Sequence, residues 1–179
     1  MKIGIYGGSF NPPHLGHMAA AESAARYLQL DKLILIPAGI PPHKALSTDE
    51  PGKAHRLAMT RLMGEQAALD TCVEVEVSSM EIEREGKSYS VDTVRELRDC
   101  NPDAELYLVV GTDMLTTFEQ WHDYRALLAQ VTLVALARTG DEHAEVERFS
   151  AYLRQTYGAR VIALPAEPIP VTSTDVRRL

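Results

Sequence analysis

The run Gly7-Gly8-Ser9-Phe10-Asn11-Pro12-Pro13-His14-Leu15-Gly16-His17 places two imidazoles three residues apart. It follows an apolar stretch, Lys2–Tyr6, and leads into an alanine-rich one that reaches Leu30. A buried strand, a glycine-bearing turn and a helix start make an anion site, because the first N–H groups of a helix lack partners and the dipole adds positive potential there. Imidazoles at i and i+3 across such a start can face one cleft. An imidazolium there neutralises charge building up on a phosphate without acting as a nucleophile. Gly7 and Gly8 are expected to form the sharp turn off the strand, and Gly16 lets a ligand or backbone come close. Neither G-x-x-x-x-G-K-[ST] nor G-x-G-x-x-G follows the strand, so histidines rather than a glycine cradle would hold a phosphate. Spacing alone leaves a second reading open, in which His14 caps the helix and His17 is a satisfied surface histidine. Zinc ligation by H-x-x-H is a weaker third, since the acidic base of an H-E-x-x-H site is missing.

Other constellations carry the same kind of chemistry. Ser173-Thr174-x-x-Arg177 comes after Pro168 and Pro170, which keep the approach extended. Ser173 or Thr174 is a natural N-cap, with Arg177 one turn along on the same face. Hydroxyls, free N–H groups and a guanidinium at one helix start make a triphosphate clamp, or else a plain capped helix with a solvated arginine. Arg178 reads as a solvated neighbour. His43 and Lys44, followed by Lys53, His55 and Arg56, form the densest basic patch, suited either to phosphate contact or to a solubilising loop. Tyr89 and Ser90 precede a helix; Ser90 with Thr93 reads as its entry, where N–H groups can receive a carboxylate. Gly111-Thr112-Asp113 ends the fourth main strand, where open α/β sheets bind nucleotides, although Thr112 or Asp113 could serve only as a cap. Trp121, the single tryptophan, reads as a core or interface residue. Glu81–Glu85 and Asp141–Glu147 read as solvated faces without chemistry.

The elements that position these residues alternate. Strands are expected at Lys2–Tyr6, Lys32–Pro37, Val73–Val75, Glu105–Val110, Val131–Ala137 and Arg160–Leu164. Helices are expected at Leu15–Leu30, His55–Leu69, Val91–Asn101, Asp123–Ala129 and Ala144–Tyr157. This alternation predicts βαβ units and a parallel sheet in an α/β fold. Leu33-Ile34-Leu35-Ile36 is apolar on both faces, as expected where helices cover both sides. The long irregular segment Ala38–Lys53, with its prolines and glycines, reads as a surface loop or lid.

At 179 residues the chain fits one domain able to bury its own core without a disulfide or metal. Its two cysteines, Cys72 and Cys100, form no C-x-x-C pair, which suits a reducing, cytoplasmic setting. No basic-then-apolar leader and no apolar run of ~18 residues suggests export or a membrane. The formal charge of −7 argues against general nucleic-acid binding but leaves a small anionic substrate open.

The string from Gly7 to His17 resembles the H-x-G-H signature of the nucleotidyltransferase superfamily, and most closely that of bacterial nicotinate-nucleotide adenylyltransferases. The resemblance continues through Ile40-Pro41-Pro42-His43-Lys44, Glu83–Ser90, Gly111-Thr112-Asp113 with Trp121, and Ser173–Arg177, so it spans essentially the whole chain. Asn11 and Ser90 stand where the family commonly has Asp and Thr. The resemblance implies a Rossmann-like open parallel sheet with helices on both faces, in one domain over residues 1–179. It implies transfer of the adenylyl group of ATP to nicotinate mononucleotide, with His14 and His17 as catalytic residues. Gly8, Ser9, Phe10, His14, Gly16, His17, Gly111, Asp113, Ser173, Thr174 and Arg177 would bind ATP. His43 and Lys44 would contact substrate phosphates, and Tyr89, Ser90 and Trp121 would hold the nicotinate group. Mg²⁺ is expected on the substrate phosphates, with no dedicated protein metal site. Pairing with a second copy is left open. The helix from about residue 173 is expected to be short, since Leu179 closes the chain two residues past Arg177. Such a helix is marginal by itself. The alternatives are another small-molecule nucleotidyltransferase, such as one acting on phosphopantetheine, and a nucleotide-binding regulator without catalysis.

Overall fold

A computed structural model describes residues 1–39, 52–137, 139–164 and 173–179. Six strands form one sheet: β1 (Lys2–Gly8), β2 (Lys32–Pro37), β3 (Glu74–Val77), β4 (Glu105–Gly111), β5 (Thr132–Leu136) and β6 (Val161–Leu164). Their order is β3-β2-β1-β4-β5-β6, and every pairing is parallel. The expected α/β fold with a Rossmann-like parallel sheet is therefore present.

The doubly apolar strands follow from the covering helices. In β2, Ile34 and Ile36 join one core while Leu33 and Leu35 join the other. The first core also takes Val91 and Val94 from α4 (Ser90–Cys100), Leu115 from α5 (Thr112–Thr116), Leu127 from α6 (Tyr124–Gln130), and Val146 and Leu153 from α7 (Gly140–Tyr157). The second takes Ala21, Ala24 and Ala25 from α1 (Leu15–Tyr27) and Met63 from α2 (Lys53–Thr71). Each side thus buries the alternate residues of the same strands.

Helix α1 stops three residues short of the expected Leu30. Gln29 turns left-handed at φ 52°, and the Leu30 N–H reaches back to the Ala25 carbonyl at 3.1 Å. That closure swings Leu30 into the core against Gly4, where any Cβ would lie 2.4 Å from a Leu30 methyl. Helix α7 starts earlier than expected, at Gly140, because the Thr139 hydroxyl accepts from the Glu142 N–H at 3.2 Å and caps it. Three short elements escape the sequence reading: α3 (Met80–Glu83), α5 and a 3₁₀ turn at Phe118–Gln120.

The topology creates the crevice. Chain order reverses between β1 and β4, with β2 and β3 on one side and β5 and β6 on the other. The β1–β2 ladder runs through Gly8–Pro37, whereas the β1–β4 ladder ends at Ile5–Leu108. Beyond that pair β1 and β4 part, and Gly8 and Gly111 face each other across the opening at the carboxyl ends. This is the switch point at which open α/β sheets hold ligands.

Candidate active site

Strand β1 delivers the first loop into this crevice. Gly7 and Gly8 do not form the expected turn; they stay in the strand, in register with Ile36 and Pro37. The chain instead leaves at Phe10, which is left-handed at φ 46°. That conformation costs a non-glycine residue roughly 1–2 kcal/mol. Burial of the ring offsets it: Phe10 is 1% exposed and meets Tyr6 and His17 edge-on, with centroids 5.5 and 5.0 Å apart. The Gly8 Cα faces the Phe10 ring, so a small residue suits that position.

The loop ends in a capping box built from the two histidines. His14 is the N-cap of α1, and its Nδ1 accepts from the Gly16 N–H at 3.0 Å and from the His17 N–H at 3.4 Å. His17 returns the contact, its Nδ1 accepting from the His14 N–H at 3.1 Å. The rings stack with centroids 3.8 Å apart and planes 28° from parallel. Both Nδ1 atoms act as acceptors, so each neutral ring carries its proton on Nε2. Capping and phosphate chemistry are therefore compatible: one nitrogen of each ring fixes the helix start, and the other is the donor.

The last helix is tied to the same loop. Helix α8 (Ser173–Arg177) begins at Ser173, so Ser173 and Thr174 lie inside it rather than capping it. The Ser173 hydroxyl donates to the Pro12 carbonyl at 2.8 Å, and Arg177 donates to the Asn11 carbonyl. Arg177 also donates to the Thr174 hydroxyl at 3.2 Å. These ties explain how a five-residue helix, marginal alone, holds its place. Residues more than 160 positions apart thus meet two to three residues before His14.

Arg56 braces the loop from behind. The sequence suggests a member of a basic patch, but its side chain is wholly buried. Its guanidinium donates to the carbonyls of Ser9 at 2.8 Å, Ala38 at 2.6 Å and Gly39 at 3.3 Å. It therefore joins the carboxyl ends of β1 and β2. Lys53 and His55 are exposed, as expected of a patch. His43 and Lys44 lie outside the described residues.

A second group gathers at the start of α4. Tyr89 is its N-cap and Ser90 its first residue. The expected entry by Ser90 and Thr93 is not used; Thr93 instead turns inward and donates to a Glu81 carboxylate oxygen at 2.8 Å. Glu81 is 8% exposed and belongs to no solvated face. Burial holds its carboxyl above the ordinary range, opposed by the Thr93 hydroxyl and the Arg84 charge. The Tyr89 ring lies on that of His122, with centroids 4.4 Å apart. Trp121 is 6% exposed and packs on Phe118 at 4.7 Å, so its indole is largely core. His122, which makes the ring contact with Tyr89, is exposed beside Trp121 and is not singled out by the sequence. Gly111 ends β4 and Asp113 lies exposed in the first turn of α5, with no side-chain cap from Thr112 or Asp113.

Of the expected site residues, Gly8, Ser9, Phe10, His14, Gly16, His17, Ser173, Thr174 and Arg177 gather about the first loop, while Gly111 ends β4 and Asp113 follows it in the first turn of α5. Tyr89, Ser90 and Trp121 form the neighbouring group.

The cytidylyltransferase-like family profile matches residues 5–179. A protein of Exiguobacterium sibiricum named probable nicotinate-nucleotide adenylyltransferase is 38% identical over 99% of this chain and 85% of its own. One of the same name from Methylibium petroleiphilum is 37% identical over 98% of this chain and 77% of its own. Plasmodium falciparum nicotinic acid mononucleotide adenylyltransferase, solved in complex with NaAD, superposes with a TM-score of 0.75. That match covers 99% of this chain and 82% of the other at 15% identity, so it speaks to the fold. On the profile match and these relatives, the chain belongs to the cytidylyltransferase-like family, in its nicotinate-nucleotide adenylyltransferase branch.

Proposed function

We propose that this protein transfers the adenylyl group of ATP to nicotinate mononucleotide, forming nicotinate adenine dinucleotide and pyrophosphate, with His14 and His17 as its catalytic residues. The observation that carries the site assignment is the convergence of the two-histidine capping box and the Ser173–Arg177 helix on one short loop at the switch point.

The 5′-phosphate of nicotinate mononucleotide is already a strong anion. It attacks the α-phosphorus of ATP, a new P–O bond forms, and the bond to the β-phosphate oxygen breaks. No protein nucleophile and no strong general base are needed. Catalysis then rests on positioning and on stabilising charge that moves toward pyrophosphate. The Nε2–H groups of His14 and His17 donate to the α- and β-phosphates. Ser173, Thr174 and Arg177 face the outer phosphates, while Gly111 and Asp113 meet the adenosine from β4. The start of α4 at Tyr89 and Ser90 receives the nicotinate carboxylate, with the pyridine ring beside Trp121. A carboxylate accepts at two oxygens where an amide offers one, which favours the acid.

The loop offers donors, so it matches phosphates rather than a bare cation. Among the described residues no three His, Cys, Asp or Glu side chains cluster to hold a metal. Mg²⁺ would therefore sit on triphosphate oxygens and water, where it neutralises phosphate charge. Among the described residues no helix is long and apolar enough to cross a membrane.

The test is Arg177→Ala in a pyrophosphate-release assay. KM for ATP should rise about tenfold, as for loss of one charge-assisted contact, while KM for nicotinate mononucleotide stays within about twofold. An unchanged KM for ATP would remove the last helix from the site.

A further inference from the structure

We propose that Glu81, acting through Thr93, is a positioning residue for the mononucleotide: it sets the start of helix α4. The inference rests on the reading of Tyr89 and Ser90 given above and adds what holds them.

The geometry is continuous. The Glu81 carboxylate accepts from the Thr93 hydroxyl in the first turn of α4 at 2.8 Å. The Glu81 carbonyl accepts from the Ser88 hydroxyl at 3.2 Å, just before Tyr89. Thr93 and Ser88 are each 2% exposed, so neither hydroxyl can exchange its partner for water without cost. Arg84 donates to the Thr93 oxygen at 3.0 Å and to Glu96 at 3.0 Å, which fixes the direction in which the Thr93 hydroxyl points. One side chain and one carbonyl of Glu81 therefore hold the residues on both sides of Tyr89 and Ser90.

The backbone of Glu81 meets Gly39. A Cβ at Gly39 would lie 2.2 Å from the Glu81 carbonyl oxygen and 3.1 Å from its carbon, so the two backbones touch where only glycine fits. Gly39 in turn accepts from Arg56, which also holds Ser9 in the first loop. His43 and Lys44 follow four and five residues after Gly39. Glu81 thus holds the start of α4 from one side while its carbonyl lies against Gly39, which Arg56 ties to the first loop. A buried carboxylate that served packing alone would be replaceable by an apolar side chain of similar size. Here it has a directed task, holding a helix start whose N–H groups must face a carboxylate.

The experiment compares Glu81→Leu, Glu81→Gln, Thr93→Val and Thr93→Ser with the parent in pyrophosphate release, varying each substrate in turn. Thr93→Val, which keeps shape and removes the hydroxyl, should raise KM for nicotinate mononucleotide about tenfold, leaving KM for ATP and kcat within about threefold. Glu81→Leu should do the same, and Glu81→Gln and Thr93→Ser, which keep the bond, should stay near the parent. If Glu81→Leu does not fold, the two threonine variants decide the matter. The proposal is overturned if both KM values rise together, if Thr93→Val matches the parent, or if Glu81→Gln is as impaired as Glu81→Leu. Calorimetric titration of nicotinate mononucleotide gives a second readout, with about tenfold weaker binding expected for Thr93→Val. A parent that binds nicotinate mononucleotide yet releases no pyrophosphate defeats the catalytic reading alone, and the titration still decides this one.

Discussion

His14 has two tasks that a single substitution can separate. Its Nδ1 caps α1 by accepting from Gly16 and His17, and its Nε2 is the proposed donor to phosphate. Asparagine places an oxygen where the imidazole has Nδ1 and is among the best N-cap residues, but it has nothing at the position of Nε2. His14→Asn should therefore keep the cap and lose the donor. Removal of one such donor costs about 10²–10³ in kcat, or roughly 2.7–4 kcal/mol of transition-state stabilisation. His14→Ala loses both tasks, and the missing cap should add about 1 kcal/mol of destabilisation, a fall in Tm of roughly 2–4 °C for a chain of this size. The assay is steady-state pyrophosphate release beside thermal unfolding, on parent, His14→Asn and His14→Ala. The expected pattern is equal loss of turnover in both variants, with a lowered Tm only in the alanine form. If His14→Asn kept turnover within a few-fold of the parent, the imidazole would be a helix cap and nothing more, and the proposed phosphate role would fail.

Two further outcomes test the frame of the site. Arg56→Met strips the buried carbonyls of Ala38 and Gly39 and the part-buried carbonyl of Ser9 of a donor, and should cost about 3–5 kcal/mol in urea unfolding; a loss below about 1 kcal/mol would show that Arg56 braces nothing. Glu81, held above the ordinary value of 4.5, takes up a proton in the folded chain at a pH where the unfolded chain has lost it. Its contribution to stability is therefore present at low pH and lost as pH rises from 4.5 through the folded value. Glu81→Gln should accordingly gain stability relative to the parent as pH rises above 4.5, and a difference in urea midpoint that stays constant from below 4.5 up to neutral pH would contradict it.

The sheet was legible because its strands, apart from the alternating Glu74–Val77, are short runs rich in apolar residues, and because the runs alternate with helical patterns. The two-faced strand Leu33–Ile36 announced helices on both sides. Four- and five-residue helices such as α3 and α5 carry no periodicity, so nothing in their spacing marks them. The turn at Phe10 was hidden for another reason: glycines are the expected site of positive φ, and only tertiary burial of the phenyl ring makes it tolerable elsewhere. Arg56 and Glu81 were misplaced together, since a charged residue within a charged stretch reads as solvated until its buried partners are seen. The Ser173–Arg177 helix was legible as a short helix, but its hold on Asn11 and Pro12 bridges the length of the chain and leaves no local trace. The contact of His122 with Tyr89 joins residues of two separate elements and has no signature in spacing, while the neighbouring Trp121 ring packs mostly against Phe118.

Adenylyl transfer to the acid mononucleotide is tested most directly by pyrophosphate release from the purified protein with ATP and Mg²⁺, given nicotinate mononucleotide in one reaction and nicotinamide mononucleotide in another. Release with both components present, at a kcat/KM at least about tenfold higher for the acid, is the predicted result. No release with either mononucleotide would contradict the enzyme assignment, and equal efficiency with both would contradict carboxylate recognition at the start of α4.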